Sequence, residues 1–342
     1  MIIFECDYAE GAHPRIMEQL AATNMEQTPG YGEDVHSDNA RRLIKQACGA
    51  THSDIHLLVG GTQTNAIVIA AMLRTHQGVI CAHTGHVNVH ETGAIEAGGH
   101  KVLPLPSDNG KLTATQIEQC HRDHWSDVTR EHMVQPKAVY LSFPTENGTL
   151  YTKAELESIA ETCHRCGLWL YVDGARMGYG LMAQGNDVTL NDFVRLTDVF
   201  YIGGTKVGAL FGEAVVINND QFKNDFRYIV KQHGGLLAKG RLLGIQFETL
   251  FSNRLYFDIA AHADCMAMRL HEAFERRGCH FLYNSVTNQQ FPIIENTLLE
   301  RLQRQFVFSY WCAVDAAHTA VRVCTSWATT EPNVQALIDA LA

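Results

Sequence analysis

The sequence predicts an α/β fold with three layers, in which helices cover both faces of a mostly parallel sheet, followed by a smaller α+β domain. The first observation is that short apolar segments alternate with segments of helical periodicity up to about residue 217. The second is a change of pattern from about residue 239 onward. The third is size, because 342 residues, 46% of them hydrophobic, exceed what one compact core usually holds. We therefore predict a large domain over residues 1–245, whose N-terminal arm can pack on a small domain of residues 246–342.

Two helices of the large domain are predicted from their caps and apolar faces. Residues 152–167 begin with Thr152 and Glu155 at the spacing of a capping box. Residues 36–49 contain Asp38 as the expected N-cap, and a glycine ends each of the two helices. The expected apolar face of the helix in residues 36–49 comprises Ala40, Leu43, Ile44 and Ala47.

The small domain is predicted to begin with a long bridging helix over residues 257–277, in which every third or fourth residue is apolar. Strands are predicted at HFLYNS, FSYWCAV and AVRVCTS, and helices at ENTLLERLQRQF and EPNVQALIDAL. Pro332 lies in the first turn of the last helix, where a backbone N–H has no partner within the helix. Together these elements predict an α+β domain.

Composition limits the classes of function. The 37 acidic and 27 basic residues give a formal charge of -10, and no run of Lys and Arg offers a surface for nucleic acid. The longest apolar run, residues 66–73, is far too short to cross a membrane, and the N-terminus is acidic where a targeting peptide is basic. Ten cysteines without such a peptide are typical of a reducing compartment. We therefore expect a soluble, cytoplasmic protein without nucleic-acid or membrane partners.

Chemically distinctive residues follow three of the predicted strands. HLLVGGTQTN places Gly61 and Thr62 at the start of a helix, where their free backbone N–H groups can bind an anion. LWLYVDGAR contains Asp173, whose buried carboxylate needs a partner such as Arg176 to stay ionised. FYIGGTK ends in Lys206, and burial depresses the pKa of a lysine, which favours a nucleophilic amine. Because parallel strands end at one edge of a sheet, we expect these groups to lie close together.

Each feature alone has a structural explanation, since a double glycine fits an ordinary turn and an Asp–Arg pair can be purely structural. The chain lacks both the Walker pattern and the G-x-G-x-x-G pattern of nucleotide sites. An anion cradle, a buried carboxylate and a buried lysine together are typical of a site for pyridoxal phosphate. The lysine forms a Schiff base with its aldehyde, the carboxylate keeps the ring nitrogen protonated, and the helix start binds the phosphate.

The motifs TPGYGED, GGTQTN, HVNVHETGA, YVDGARMG, GGTKVGALFG and AVRV occur in the order and spacing of a known family. Over nearly its whole length the chain resembles the low-specificity L-threonine aldolases, which belong to the beta-eliminating lyase group of pyridoxal-phosphate enzymes with the aspartate-aminotransferase-like fold (type I). The resemblance implies that Lys206 forms the Schiff base, that Asp173 pairs with the pyridinium nitrogen, and that the phosphate is bound by Gly61, Thr62 and Thr205.

The resemblance also implies roles for residues that their local sequence does not distinguish. His86 matches the histidine that stacks on the cofactor ring. Arg176 and Arg322 match guanidinium groups that hold the ring oxygen or the substrate carboxylate. Tyr31 matches a loop that reaches the active site of a neighbouring subunit. The resemblance therefore implies a homodimer or homotetramer with shared active sites, each in a cleft between the two domains.

Two positions depart from the family pattern. Cys6 stands where many members have a serine that contacts the substrate carboxylate, so a thiol replaces the hydroxyl. Glu146, in FPTENG, stands where bacterial members have a histidine. If that histidine takes the proton of the substrate hydroxyl, Glu146 or His86 must do so here.

The implied reaction is cleavage of L-threonine or L-allo-threonine to glycine and acetaldehyde by a retro-aldol step. Two alternatives on the same scaffold stay open, namely β-elimination and cleavage of another β-hydroxy amino acid. A metal-binding protein would use Cys163 and Cys166 of CHRC together with histidines. However, no second cysteine pair has zinc-site spacing, and Cys163 continues an apolar stripe. We therefore expect an amino-acid substrate and no metal.

Overall fold

A seven-stranded sheet forms the centre of the computed structural model, which covers residues Met1–Ala342. The strands are β1 (Ile2–Ile3), β2 (Asp54–Leu58), β3 (Gln77–Ala82), β4 (Lys101–Leu105), β5 (Gln135–Ser142), β6 (Trp169–Asp173), β7 (Val199–Gly203), β8 (Glu213–Ile217), β9 (His280–Phe281), β10 (Gln289–Gln290), β11 (Pro292–Glu295), β12 (Phe306–Val307), β13 (Ser309–Ala313) and β14 (His318–Cys324). The helices are α1 (Pro14–Ala22), α2 (Val35–Cys48), α3 (Gly61–Met72), α4 (His86–Val89), α5 (Ala94–Ala97), α6 (Ala114–Ser126), α7 (Lys153–Cys166), α8 (Met177–Met182), α9 (Leu190–Leu196), α10 (Phe226–Gln232), α11 (Arg241–Phe251), α12 (Leu255–Arg276), α13 (Asn296–Leu302) and α14 (Glu331–Leu341).

The central sheet is mostly parallel, as the alternating sequence pattern predicts. Its strand order is β2-β8-β7-β6-β5-β3-β4, and only β8 runs antiparallel to its neighbours. Ser142 on β5 lies opposite Asp173 on β6, and Val172 lies opposite Phe200 on β7. The C-terminal ends of these three strands therefore meet at one edge of the sheet.

Alternation along the strands divides the core into two layers. Tyr171 belongs to a hydrophobic cluster that includes side chains of α3 and α10, whereas its neighbour Val172 belongs to a cluster that includes side chains of α2, α7 and α12. Successive strand residues point to opposite faces, so both faces of the sheet are covered by helices. The three-layer α/β fold is thereby confirmed.

The helix caps show one wrong prediction and one correct one. Asp34 caps α2 by accepting a hydrogen bond from the Ser37 N–H at 2.9 Å, so Asp38 lies inside the first turn. The prediction that Asp38 is the cap is wrong because both acids precede the apolar repeat, and spacing alone does not choose between them. In α7, both hydrogen bonds of the Thr152–Glu155 capping box are present. The buried residues of α2 are Ser37, Ala40, Ile44 and Cys48, whereas Ala47 is exposed.

A third hydrophobic cluster lies beyond the sheet and combines Phe4 with residues between Met266 and Leu341. Helix α12 contributes Ile259 to the first cluster and Leu270 to the third, so it bridges the two cores. Strand β1 pairs in parallel with β12, which places the N-terminal arm on the C-terminal part of the chain.

The predicted domain boundary near residue 245 lies within α11 and remains a prediction. None of the helices combines the length and the apolar content that crossing a bilayer requires.

Candidate active site

The three distinctive strand ends line one cavity of about 570 Å³ at the carboxyl edge of the sheet. Gly61 and Thr62 lie at the start of α3, Asp173 at the end of β6, and Lys206 in the turn after β7. The structure thus brings together the groups that sequence spacing predicts to be close. The other predicted site residues that line this cavity are His86, Glu146, Arg176, Thr205 and Arg322.

Two predicted site residues lie outside this cavity in their own chain. Cys6 belongs to the N-terminal arm and does not line the cavity, whereas its neighbour Asp7 forms an ion pair with Arg176. Tyr31 is 45% exposed and has a left-handed backbone, with φ of 61°. The Lys231 Nζ lies 4.5 Å from the centre of its ring. The roles predicted for Cys6 and Tyr31 therefore remain predictions.

Asp173 is buried, and hydrogen-bond donors surround its carboxylate. Tyr140 and Asn65 donate to Oδ2 at 2.7 and 3.0 Å, while Tyr201 and a backbone N–H donate to Oδ1 at 2.6 and 2.9 Å. Burial alone would raise the pKa of Asp173, but His86 and the two tyrosine hydroxyls outweigh burial and lower that pKa below its usual value. Asp173 therefore stays ionised at neutral pH.

Arg176 is not the partner of Asp173, so that prediction is wrong. Its Nε and Nη2 donate to the two carboxylate oxygens of Asp7 at 2.6 and 3.0 Å, and Asn288 donates to Asp7 at 2.9 Å. Donors on the neighbouring strands β5 and β7 already satisfy Asp173, while the arginine, beyond the strand end, meets the N-terminal arm. A bidentate pair with Asp7 anchors Arg176 at the cavity wall.

Lys206 lines this cavity and is half-buried. Burial lowers the pKa of Lys206, and the nearby Arg176 guanidinium lowers it further, whereas nearby carboxylates raise it. The Tyr179 hydroxyl donates to the carbonyl oxygen of Lys206 and holds the turn in place. A lysine with a lowered pKa is suited to attack a carbonyl carbon.

The Thr205 hydroxyl is already committed within the protein. It donates to Oε1 of Glu213 at 2.8 Å and accepts from the Gly212 N–H at 3.0 Å. The Gly204 N–H donates to Oε2 of Glu213 at 3.2 Å. Glu213 is 3% exposed, and burial raises its pKa to about 8. The single hydroxyl proton of Thr205 is therefore engaged by a buried acid, and the phosphate contact predicted for Thr205 remains a prediction.

His86 is connected to Asp173 by a chain of hydrogen bonds. Its Nδ1 lies 2.7 Å from Oε1 of the buried Glu91, and Asn65 donates to the same oxygen at 2.6 Å. Asn65 also donates to Asp173. Because Glu91 engages Nδ1, the Nε2 of His86 is left for other partners.

Glu146 lies beside His86 in the cavity wall. Its Oε1 accepts from the His86 N–H at 2.8 Å and from the Ser142 hydroxyl at 2.6 Å. Burial raises the pKa of Glu146. A carboxylate with a raised pKa is a stronger base than an ordinary carboxylate and is suited to accept a proton.

Arg322 lines the cavity from β14, which pairs with β10, β11 and β13 in a second, antiparallel sheet in the C-terminal part of the chain. Its Nη1 donates to Gln289 Oε1 at 3.4 Å and its Nη2 to the Glu5 carbonyl oxygen at 3.2 Å. Its Nε is buried and has no hydrogen-bond partner. An unpaired guanidinium N–H at a cavity wall is suited to bind a carboxylate. The cavity therefore lies between the central sheet and the C-terminal sheet.

The CHRC segment lies within α7, away from this cavity. Cys163 is 2% exposed and shares the buried face of α7 with Leu156 and Ile159. No group of three or more His, Cys, Asp and Glu side chains is arranged to hold a metal ion. The apolar stripe predicted for Cys163 is confirmed.

The donor set of the cavity fits pyridoxal phosphate. An ionised carboxylate suits a protonated ring nitrogen, a lysine of lowered pKa suits an aldehyde, and the start of α3 suits a phosphate. A Cβ atom on Gly61 would lie 3.3 Å from the Tyr201 hydroxyl, so a side chain there would crowd the cradle. The unpaired Arg322 Nε and the buried, unpaired Thr64 hydroxyl are further polar atoms without a protein partner.

This sheet and this set of groups define the pyridoxal-phosphate enzymes of fold type I. The fold is shared with the aspartate aminotransferase of Thermus thermophilus, at a TM-score of 0.72 and 15% identity, over 100% of this chain and 91% of that one. The profile of the beta-eliminating lyase family matches residues 6–297, and the chain belongs to that family. It is an enzyme of the lyase class, and its family and fold imply pyridoxal phosphate as cofactor.

Two threonine aldolases are similar to this chain over most of its length. The threonine aldolase of Leishmania major is 44% identical, with a TM-score of 0.97, over 100% of this chain and 98% of that one. The low specificity L-threonine aldolase of Pseudomonas aeruginosa is 32% identical over 271 residues, which are 79% of this chain and 77% of that protein. The resemblance inferred from the motifs is confirmed.

Sequence reasoning missed the residues that support the predicted ones, namely Asn65, Glu91, Tyr140, Tyr201 and Glu213. The period-two alternation of a strand indicates part of this arrangement, because it places Tyr171 and Asp173 on the same face of β6. The register of β5 and β7 against β6 is also needed to bring Tyr140 and Tyr201 to the carboxylate. Glu91 lies within the HVNVHETGA motif, five residues after His86, but spacing alone gives it no role.

Proposed function

We propose that this enzyme cleaves L-threonine and L-allo-threonine to glycine and acetaldehyde with pyridoxal phosphate as cofactor. The observation that carries the proposal is one cavity holding an amine of lowered pKa at Lys206, an ionised acid at Asp173 and an unpaired guanidinium N–H at Arg322. The similarity to threonine aldolases supports the choice of substrate.

In this proposal the cofactor's ring and phosphate are held by groups at three strand ends. Asp173 would pair with the ring nitrogen, His86 would pack against the ring, and the N–H groups of Gly61 and Thr62 would bind the phosphate. Lys206 would hold the aldehyde through its amine. When bound, pyridoxal phosphate supplies an electron sink for the electrons of the bond between Cα and Cβ of the substrate.

Arginine side chains orient the substrate. Arg322 lines the cavity and binds the substrate carboxylate, while Gln289 and the Glu5 carbonyl oxygen hold the guanidinium in place. Arg176 is fixed by Asp7 through Nε and Nη2, which leaves Nη1 for the ring oxygen or the substrate. The two guanidinium groups thereby set which bond of the substrate is broken.

The proton of the substrate β-hydroxyl goes to Glu146 in this proposal. Its raised pKa makes it a stronger base than an ordinary carboxylate, and hydrogen bonds from Ser142 and from the His86 N–H fix its position. His86 is the second candidate base, because its Nδ1 is engaged by Glu91 and its Nε2 is not.

The direct test is replacement of the amine. We expect Lys206→Ala to lower the rate of glycine and acetaldehyde release from both substrates by at least roughly a thousandfold. Borohydride treatment of the wild-type enzyme should abolish release by reducing the lysine-bound cofactor. Lys101→Ala, on the exposed side of β4, is the matched control and should keep the wild-type rate. Near-normal turnover by Lys206→Ala would contradict the proposal, and release from other β-hydroxy amino acids alone would redirect the substrate assignment.

We further propose that the protein is a homodimer or homotetramer with shared active sites. Tyr31 supports this, because it is exposed and lies outside its own chain's cavity. Lys206→Ala and Tyr31→Ala should each be weakly active alone. Mixed dimers contain one undamaged site, so mixing the two variants should restore up to roughly a quarter of the wild-type activity. An active Tyr31→Ala enzyme, or no recovery on mixing, would contradict shared sites.

A further inference from the structure

Glu213 is a buried acid in the wall of the active-site cavity to which neither the sequence motifs nor the mechanism assigns a role. It begins β8 and pairs with Leu58, the last residue of β2, three residues before Gly61. Neighbouring strands lie about 5 Å apart, so this pairing places Glu213 next to the segment that leads into the anion cradle. Glu213, Gly61 and Thr62 line the same cavity.

The hydrogen bonds of Glu213 tie it to the other side of the cradle as well. Its two oxygens accept from the Thr205 hydroxyl and the Gly204 N–H. Thr205 precedes Lys206 and is itself a predicted phosphate ligand. Glu213 is therefore bonded to one predicted phosphate-binding segment and lies beside the other.

The charges around Glu213 do not fully compensate the effect of burial on its pKa. Lys206 favours its ionised form and Asp173 opposes it, but burial has the largest influence and raises the pKa to about 8. Helix α3, which packs on β8, carries no titratable side chain. The other titratable groups that interact with Glu213 are Tyr171, Tyr201 and Tyr256.

We propose that Glu213 is a proton-holding residue of the anion cradle, which lets the cofactor phosphate bind while Glu213 is uncharged and repels it once Glu213 ionises. This inference rests on the proposed function, since it takes the phosphate to bind at Gly61 and Thr62. An ionised carboxylate beside a phosphate dianion is repulsive, and a carboxylic acid in the same place is a hydrogen-bond donor. Cofactor affinity then decreases as the pH rises through the pKa of Glu213.

The test measures binding and not turnover. Full-length protein freed of its cofactor is titrated with pyridoxine 5′-phosphate, an alcohol that cannot condense with Lys206, and the dissociation constant is measured by equilibrium dialysis at pH 7 and pH 9. The phosphate is already dianionic in this range, because its second pKa is about 6. With a pKa of about 8, the protonated fraction of Glu213 falls roughly tenfold between these two pH values.

We expect the dissociation constant of the wild-type protein to rise roughly tenfold more between pH 7 and pH 9 than that of Glu213→Gln, which is uncharged at both. Glu300→Gln removes one negative charge at an exposed position and should behave as the wild type. Repeating the pair up to pH 10 in a Lys206→Ala background removes the neighbouring amine, so the difference should persist but begin at higher pH, because Lys206 lowers the pKa of Glu213.

Parallel behaviour of the wild type and Glu213→Gln would overturn the inference and leave the proposed function intact. A difference that is absent from the Lys206→Ala background at every pH from 7 to 10 would also overturn it, because Glu213 would then act through the amine. Absence of binding by the wild type at both pH values would overturn the inference and the proposed cofactor site together.

Should Glu213→Gln fail to fold, the binding of pyridoxine 5′-phosphate to the wild-type protein is compared with the binding of pyridoxine, which lacks the phosphate. An equal pH dependence for the two ligands would overturn the inference.

Discussion

Asp173 and Glu213 are two carboxyl groups buried in the wall of one cavity, and their pKa values are shifted in opposite directions. They are 4% and 3% exposed, so burial does not distinguish them. Asp173 accepts four hydrogen bonds, three from side chains and one from the backbone, whereas Glu213 accepts two. The comparison teaches that the number of donors and the nearby charges decide whether a buried acid is ionised.

The difference follows from where each acid lies in the sheet. Asp173 ends the central strand β6, between two parallel neighbours, so the tyrosines of β5 and β7 and an asparagine of α3 converge on it. Glu213 begins β8, the only antiparallel strand of this sheet, and its donors come from the turn after β7. Two carboxyl groups thus behave differently: the Asp173 side chain is an anion, and the Glu213 side chain holds a proton.

The largest effect is expected from removing the charge of Asp173. We expect Asp173→Asn to lower kcat for L-threonine cleavage by roughly a hundredfold or more, because the proposed partner of the ring nitrogen loses its charge. The exposed Asp108→Asn is the matched control and should keep the wild-type rate. A kcat within a few-fold of the wild type would show that catalysis does not need the charge of Asp173. The difference in ionisation between Asp173 and Glu213 would then have no catalytic role at Asp173.

A smaller effect is expected from removing one donor of Asp173. Tyr201→Phe deletes the hydroxyl 2.6 Å from Oδ1, and we expect a loss of about 1.5 to 3 kcal/mol in the free energy of unfolding at pH 7. The lowered pKa of Asp173 contributes stability above the unfolded-state pKa near 4, and this contribution is lost as the pH falls through the folded-state value. Tyr201→Phe should shift that loss to higher pH. Urea denaturation at several acidic pH values measures both changes, and an unchanged acid limb would contradict the stated role of Tyr201.

The smallest effect is expected from the corresponding change at Glu213. Thr205→Val keeps the side-chain shape but removes one of its two donors, so the pKa of Glu213 should rise further. The decrease in pyridoxine 5′-phosphate affinity should then begin at higher pH, while Thr205→Ser should behave as the wild type. A shift to lower pH would show that the threonine hydroxyl does not stabilise the ionised form, contrary to the comparison.

The two predicted helix caps show how far local sequence reaches. The capping box of Thr152 and Glu155 is recognised because both partners lie within one turn of one helix. At α2, the local sequence allows either Asp34 or Asp38 to be the N-cap. In the folded chain Asp34 is the cap, because it accepts a hydrogen bond from the Ser37 N–H. A cap can be predicted from sequence when both of its partners lie within one helical turn. It cannot be predicted when two residues fit the same pattern.

Arg176 shows the same limit at the site. A buried aspartate followed by an arginine three residues later favours a local pair, yet the partner of Arg176 is Asp7, 169 residues away. The sequence contains no signal for this pairing, because it depends on the N-terminal arm crossing the strand ends. Arg322 depends equally on distant groups, the Glu5 carbonyl oxygen and Gln289.

The sequence by itself determined the alternation of strands and helices, the strand ends that carry Gly61, Asp173 and Lys206, and hence the class of cofactor. These follow from periodicity and from the rule that parallel strands end at one edge, both of which are local or topological. Only the tertiary structure decided which acid is ionised and which partners each guanidinium group has. Those properties depend on strand register, on burial and on contacts between residues far apart in the chain, because hydrogen bonds and charges act over a few ångströms in space and not along the sequence.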